Sequence, residues 1–168
     1  QLAKSSAERV FGILGKDPTI QTPAETIKPA DVEGTVEFDD VVFSYRDRDP
    51  VLHNISLTVP AGTTIGLAGA TGAGKSTLLK LLPRFYDTDE GTVRVDNVDV
   101  RQYDIERLRD AIAIVEQNPY LFSGTVAENI AYGDNEILDA EWHNDTTQSG
   151  TRSQIVEAAK SAEADEFI

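Results

Sequence analysis

Nine consecutive residues constrain this chain more than anything else in it: Gly69-Ala-Thr-Gly-Ala-Gly74-Lys75-Ser76-Thr77. They fit G-x-x-x-x-G-K-[ST], with an apolar strand-like stretch (Thr63–Ala68) before them and a helical stretch (Ser76–Leu82) after. Gly69, Gly72 and Gly74 allow backbone conformations and close approaches that a Cβ would block. Successive N–H groups, including those of Ala70, Thr71 and Ala73, can then face a single anion, and the following helix adds its positive end. Lys75 would set a point charge between β- and γ-phosphates, Ser76 would offer a hydroxyl to Mg²⁺, and Thr77 would reach the α-phosphate. The alternative is a glycine-rich turn that merely joins strand to helix. The strand-then-helix context is the one the motif demands, and it favours the phosphate loop.

Charge narrows the partners. The 168 residues hold 29 acidic and 15 basic side chains, a net charge of −14. Such a surface argues against a nucleic-acid partner and against docking on anionic lipid. It does not argue against a phosphate ligand, because the loop is locally positive and Mg²⁺ screens the substrate. The absence of Cys excludes disulfides and thiolate chemistry. No apolar run reaches the roughly 18 residues that span a bilayer. The length allows one ordinary domain with an appended segment. The chain opens on Gln1 and contains no Met, so it reads as a processed chain or a fragment.

The order of elements can be read along the chain. Leu2, Ala3, Ala7, Val10, Phe11 and Leu14 recur at helical spacing, and Gly15 can close that helix. Residues 16–34 hold Pro18, Pro23 and Pro29 and read as an extended linker, so a domain begins near Thr35. Thr35–Tyr45 and Val51–Val59 alternate as strands. Thr92–Val95 and Val98–Val100 suggest a hairpin around Asp96-Asn97. Asp104 can cap a helix running through Arg109, and Ala111–Val115 reads as a buried strand. Thr125 and Glu128 match a capping box at the start of a helix that Gly133 closes. Residues 134–151 read as a polar loop, and Arg152–Ala162 as a final helix. The expected class is α/β with an antiparallel subsection.

The surroundings of the loop carry a resemblance. The run from FDDVVFSYRDRDPVLHNISLTVPAGTTIGLAGATGAGKSTLLKLLPRFYDTDEGTVRV to VDNVDVRQYD resembles the nucleotide-binding domain of ATP-binding cassette transporters. LRDAIAIVEQNPYLFSGTVAENIAYG resembles the same domain in the exporter subfamily, where it follows six membrane helices. Ser6–Leu14 is similar to the stretch where the last membrane helix hands over to that domain. The resemblance implies a P-loop NTPase core with an antiparallel β subdomain, incomplete at the C-terminus. Residues 1–15 would then end a helix from the transmembrane domain, 16–34 would be the linker, and 35–168 the N-terminal part of the nucleotide-binding domain.

The resemblance also assigns roles. Tyr45 matches the aromatic that stacks on adenine; taken alone it would be ordinary core. Gln117 matches the glutamine that reaches Mg²⁺ and the attacking water, a job suited to a neutral amide; taken alone it is a strand-end polar residue. The implied cofactors are ATP and Mg²⁺. The implied partners are a transmembrane domain and a second nucleotide-binding domain, at the cytoplasmic face of a membrane. Asn118–Ile130 resembles the surface that faces the membrane part. Ala70, Glu116 and Asn97 depart from the family's commoner residues, and residues 134–151 are longer than usual. The signature loop, the strand ending in Asp-Glu and the switch His do not occur in this sequence. The chain alone is therefore expected to be inactive, while the complete protein would use ATP to power export. The alternatives are a non-catalytic nucleotide-binding module and a soluble P-loop ATPase of DNA-repair or assembly type. The two histidines, His53 and His143, lie too far apart in sequence for a metal pair, and Asn144-Asp-Thr146 is a glycosylation sequon that would be silent in a cytosolic domain.

Overall fold

The computed structural model describes residues 10–12, 14–16, 18–29, 31–46, 48–133, 148–164 and 166. They fall into two compact units, Gln1–Ile114 and Val115–Ile168. Residues 10–12 and 14 are helical, and the Gly15 amide donates to the Phe11 carbonyl at 2.9 Å, which ends that helix where the glycine stands.

The first unit is built on an antiparallel sheet. Its strands are β1 (Val36–Phe43), β2 (Leu52–Val59), β3 (Glu90–Val95) and β4 (Val98–Asp99), in the order β2-β1-β3-β4. Central β1 buries Phe38, Val41 and Phe43. Strict alternation from Phe38 would turn Asp40 into the core. A bulge at Asp40 (φ 47°) adds the residue that turns Val41 inward instead. Gly91 permits this bulge, because a Cβ there would meet the Asp39 and Asp40 carbonyls.

The hairpin between β3 and β4 turns at Asp96 and Asn97, both left-handed (φ 49° and 65°), as the sequence suggests. The Asp96 carboxylate does more than turn the chain. It accepts the backbone N–H groups of Glu33 (2.8 Å), Gly34 (3.0 Å) and Thr35 (2.8 Å). The end of the proline-bearing segment is thereby tied to the sheet. Farther up, Ile27 bridges Tyr103, Lys28 pairs with Asp104 at 3.0 Å, and Arg107 donates to the Pro29 carbonyl at 3.1 Å. Residues 27–29 and 33–35 are therefore docked on the first unit as a strap.

Two helices close the core. α1 (Lys75–Leu81) brings Leu78 and Leu81, and α2 (Ile105–Asp110) brings Leu108, against Phe38, Val41, Val93 and Val95. Complete burial of a side chain such as Leu81 is worth about 1.5–3 kcal/mol. Asp104 caps α2, accepting from the Arg107 amide at 3.2 Å. Buried Tyr103 donates its hydroxyl to the Val95 carbonyl at 3.0 Å, and burial pushes its phenol pKa up.

Two expectations are corrected. Thr63–Ala68 and Ala111–Val115 are not strands. Ile65, Leu67, Ile114 and Val115 are exposed, Val115 almost wholly (96%). A strand of the buried parallel kind is held by ladder bonds to neighbours on both edges. Among the described residues no strand lies beside either segment, so apolar character alone does not make them strands.

The second unit holds α3 (Val126–Ala131) and α4 (Gln148–Ser161), which bury Ala131, Ile155 and Ala159. The capping box forms as the sequence indicates: the Glu128 amide donates to the Thr125 hydroxyl, and the Glu128 carboxylate accepts the Thr125 amide. The Thr125 amide and the Thr125 hydroxyl, both donating to that carboxylate, lower the Glu128 pKa. From within α3, the Asn129 side chain accepts from the Phe122 amide (2.8 Å) and donates to the Phe122 carbonyl (3.1 Å), and the Phe122 ring stacks on Tyr132 at 3.8 Å. Of the loop read over residues 134–151, residues 134–147, including His143 and Asn144, lie outside the described residues, and 148–151 are instead the first turn of α4.

Candidate functional site

The phosphate loop adopts the backbone that its glycines allow. Gly72 (φ 86°) and Gly74 (φ 87°) are both left-handed. At Gly74 the demand is steric as well: a Cβ would lie 2.7 Å from the Leu52 Cδ2 and 3.2 Å from the Val51 carbonyl. The start of β2 thus presses on the loop at the point where α1 begins. Gly69 makes a lesser demand, since its Cβ would meet only the Ala73 methyl at 3.4 Å. Gly74 is also the N-cap of α1 and offers no side-chain acceptor, so the first N–H groups of that helix are left for a ligand or water.

The side chains of the loop take up distinct states. The Lys75 ammonium donates to the Gly69 and Ala70 carbonyls, each at 2.8 Å, so its charge lies over the loop. Ser76 is exposed at the start of α1. Thr77 is buried (7% exposed) and accepts a hydrogen bond from the Tyr45 hydroxyl at 3.1 Å.

Tyr45 lies in the turn between β1 and β2, 32 residues before Thr77, and the fold brings the two together. Its ring packs edge-on against Phe43 (4.8 Å, 85°) and Tyr86 (5.2 Å, 90°). The turn itself is held by Asp89, whose carboxylate accepts the Ser44 amide at 2.6 Å. An open cleft of about 590 Å³ lies beside the ring, lined by Tyr45, Arg48, Asp49 and Val51. Arg48, Tyr86 and Asp89 escaped sequence reasoning, and Asp49 reads from the sequence only as part of a solvated acidic face. Only the Asp-x-Asp after Tyr86 offered a signal, as a turn.

The sequence-derived residues Tyr45, Gly69–Gly74, Lys75, Ser76 and Thr77 thus share the first unit. Gln117 belongs to the second unit, exposed in a bend. Among the described residues, no group of three His, Cys, Asp or Glu could hold a metal by itself. An ion here would need the nucleotide's own oxygens, and the exposed Ser76 hydroxyl suits that arrangement.

The sequence model of the ABC transporter family matches residues 52–167. This chain belongs to that family. It carries the P-loop NTPase core of ABC proteins together with the antiparallel sheet described above. It is 41% identical over 169 residues to the ATP-dependent lipid A-core flippase of Escherichia coli (strain K12), covering 100% of this chain and 27% of that protein. It is 39% identical over 165 residues to YgaD of Bacillus subtilis (strain 168), named for multidrug export as an ATP-binding/permease protein; the match covers 98% of this chain and 26% of that one. YknV of the same organism, named as an ABC transporter ATP-binding protein, is 34% identical over 167 residues, covering 99% and 26%. The chain spans about a quarter of the length of these relatives. Among the described residues no helix is long and apolar enough to cross a membrane.

Proposed function

We propose that this chain binds Mg-ATP through its phosphate loop, and that in the whole protein ATP binding and hydrolysis power export across a membrane. The observation that carries the reading is the loop itself: left-handed Gly72 and Gly74, an uncapped helix start, and Lys75 folded over the carbonyls of the cradle. The triphosphate offers Lys75 better partners than those carbonyls, because charge-assisted bonds to phosphate are the stronger ones. Thr77 contacts the α-phosphate, and the cleft beside Tyr45 receives the base. Magnesium would be held by the Ser76 hydroxyl together with the nucleotide and would supply charge neutralisation to its phosphates, while for Gln117 a role at that ion is what the family resemblance alone implies.

The names of the relatives, a lipid A-core flippase and a multidrug export protein, support an exporter. On that reading a transmembrane domain and a second nucleotide-binding domain are the partners, and the site works at the cytoplasmic face. The general base is not among the residues of this chain, so the chain alone binds nucleotide without turning it over. Calorimetric titration with Mg-ATP, paired with a phosphate-release assay, tests both parts. Saturable binding without turnover supports the reading. Absence of binding overturns the first part, and measurable turnover overturns the second.

A further inference from the structure

We propose that the Tyr45 hydroxyl is a positioning group for the nucleotide's α-phosphate, acting through Thr77, in addition to whatever its ring does for the base. The inference rests on the nucleotide reading above. The two oxygens lie 3.1 Å apart. A hydroxyl has one proton and two lone pairs. In this pair the phenol donates and Thr77 accepts. Thr77 then keeps its own proton, which can no longer point at Tyr45. Among the described residues that proton has no protein acceptor, and at 7% exposure the side chain has little water to turn towards. It is left aimed at an incoming acceptor such as a phosphate oxygen.

The donor is held as firmly as the acceptor. Edge-on contacts with Phe43 and Tyr86 fix the Tyr45 ring, and the Ser44–Asp89 bond fixes the turn beneath it. Thr77 is anchored in α1. Orientation of this kind is worth most when the supporting groups are themselves locked by packing. One side chain thereby links recognition of the base to recognition of the first phosphate.

The test compares Tyr45→Phe with the unsubstituted 168-residue chain for Mg-ATP and for adenosine, which lacks the phosphate. Phenylalanine keeps the ring and loses only the hydroxyl. The expected result is a loss of about fivefold in Mg-ATP affinity, the size of one hydrogen bond, with adenosine affinity unchanged. In a Thr77→Val background the same substitution should make no further difference. Thr77→Ser, which restores the hydroxyl, should respond to Tyr45→Phe as the parent does. Equal Mg-ATP affinity for parent and Tyr45→Phe overturns the proposal and leaves the nucleotide reading standing. A parallel loss for ATP and adenosine also overturns it, since that marks a structural role. If the unsubstituted chain binds no Mg-ATP, the nucleotide reading falls and this inference falls with it.

Discussion

The Lys75 ammonium lies 2.8 Å from the Gly69 carbonyl oxygen, six residues back along its own loop, and equally close to the Ala70 carbonyl. The lysine is thus held by the cradle it would serve, and on the proposed reading nucleotide binding would exchange these carbonyl partners for phosphate oxygens. Lys75→Ala removes that exchange. The expected outcome is a loss of about 10- to 100-fold in Mg-ATP affinity, the range for hydrogen bonds to charged groups. Its unfolding midpoint in urea should stay near the parent's, because the bonds lost are exposed. Unchanged affinity by titration would remove the lysine from the site.

Gly74 and Gly69 separate conformational need from motif membership. Gly74→Ala must hold φ 87° and press a methyl on Leu52 and Val51. It should cost about 1–3 kcal/mol in denaturant unfolding. Gly69→Ala has room and no left-handed φ, so it should be nearly neutral for stability. Equal costs at the two positions would contradict the close approach of β2 to the loop.

Acid should act on the strap. The Lys28 ammonium and the Arg107 amide hold the Asp104 carboxyl below its ordinary range. Unfolded, the group titrates near 3.9. Its stabilising effect is therefore complete above that value and is lost as pH falls through the depressed folded value. Asp104→Asn keeps a capping oxygen and loses the charge. It should be less stable than the parent at pH 7, with the gap closing below about pH 4. Urea midpoints at several pH values read this directly, and a gap independent of pH would assign the effect to capping alone.

Salt should stabilise. The net charge is −14, and arginines outnumber lysines nine to six. Asp39 and Asp40 stand among exposed positions on β1, as does Asp49 after the turn. Repulsion among such charges is screened as the Debye length falls from about 8 Å at 0.15 M to about 3 Å at 1 M. The thermal midpoint should rise as KCl is raised from 0.15 M towards about 1 M. A midpoint indifferent to KCl would show that this repulsion does not limit stability.

What the sequence determined by itself is local. The phosphate loop is legible because its glycines, lysine and hydroxyls are contiguous, and Gly72 and Gly74 need no distant partner to turn left-handed. The Asp96-Asn97 turn, the Asp104 cap and the Thr125–Glu128 box are legible for the same reason: each closes over two to four residues. Tertiary structure decided the rest. The Asp40 bulge depends on Gly91 lying opposite, and the strap depends on an Asp96 carboxylate 61 to 63 residues away. The bond from Tyr45 to Thr77 spans 32 residues that no spacing rule connects. Thr63–Ala68 and Ala111–Val115 show the converse. Their apolar residues announce strands, but a strand's hydrogen bonds belong to its neighbours, so only the assembled sheet decides whether an apolar run becomes one.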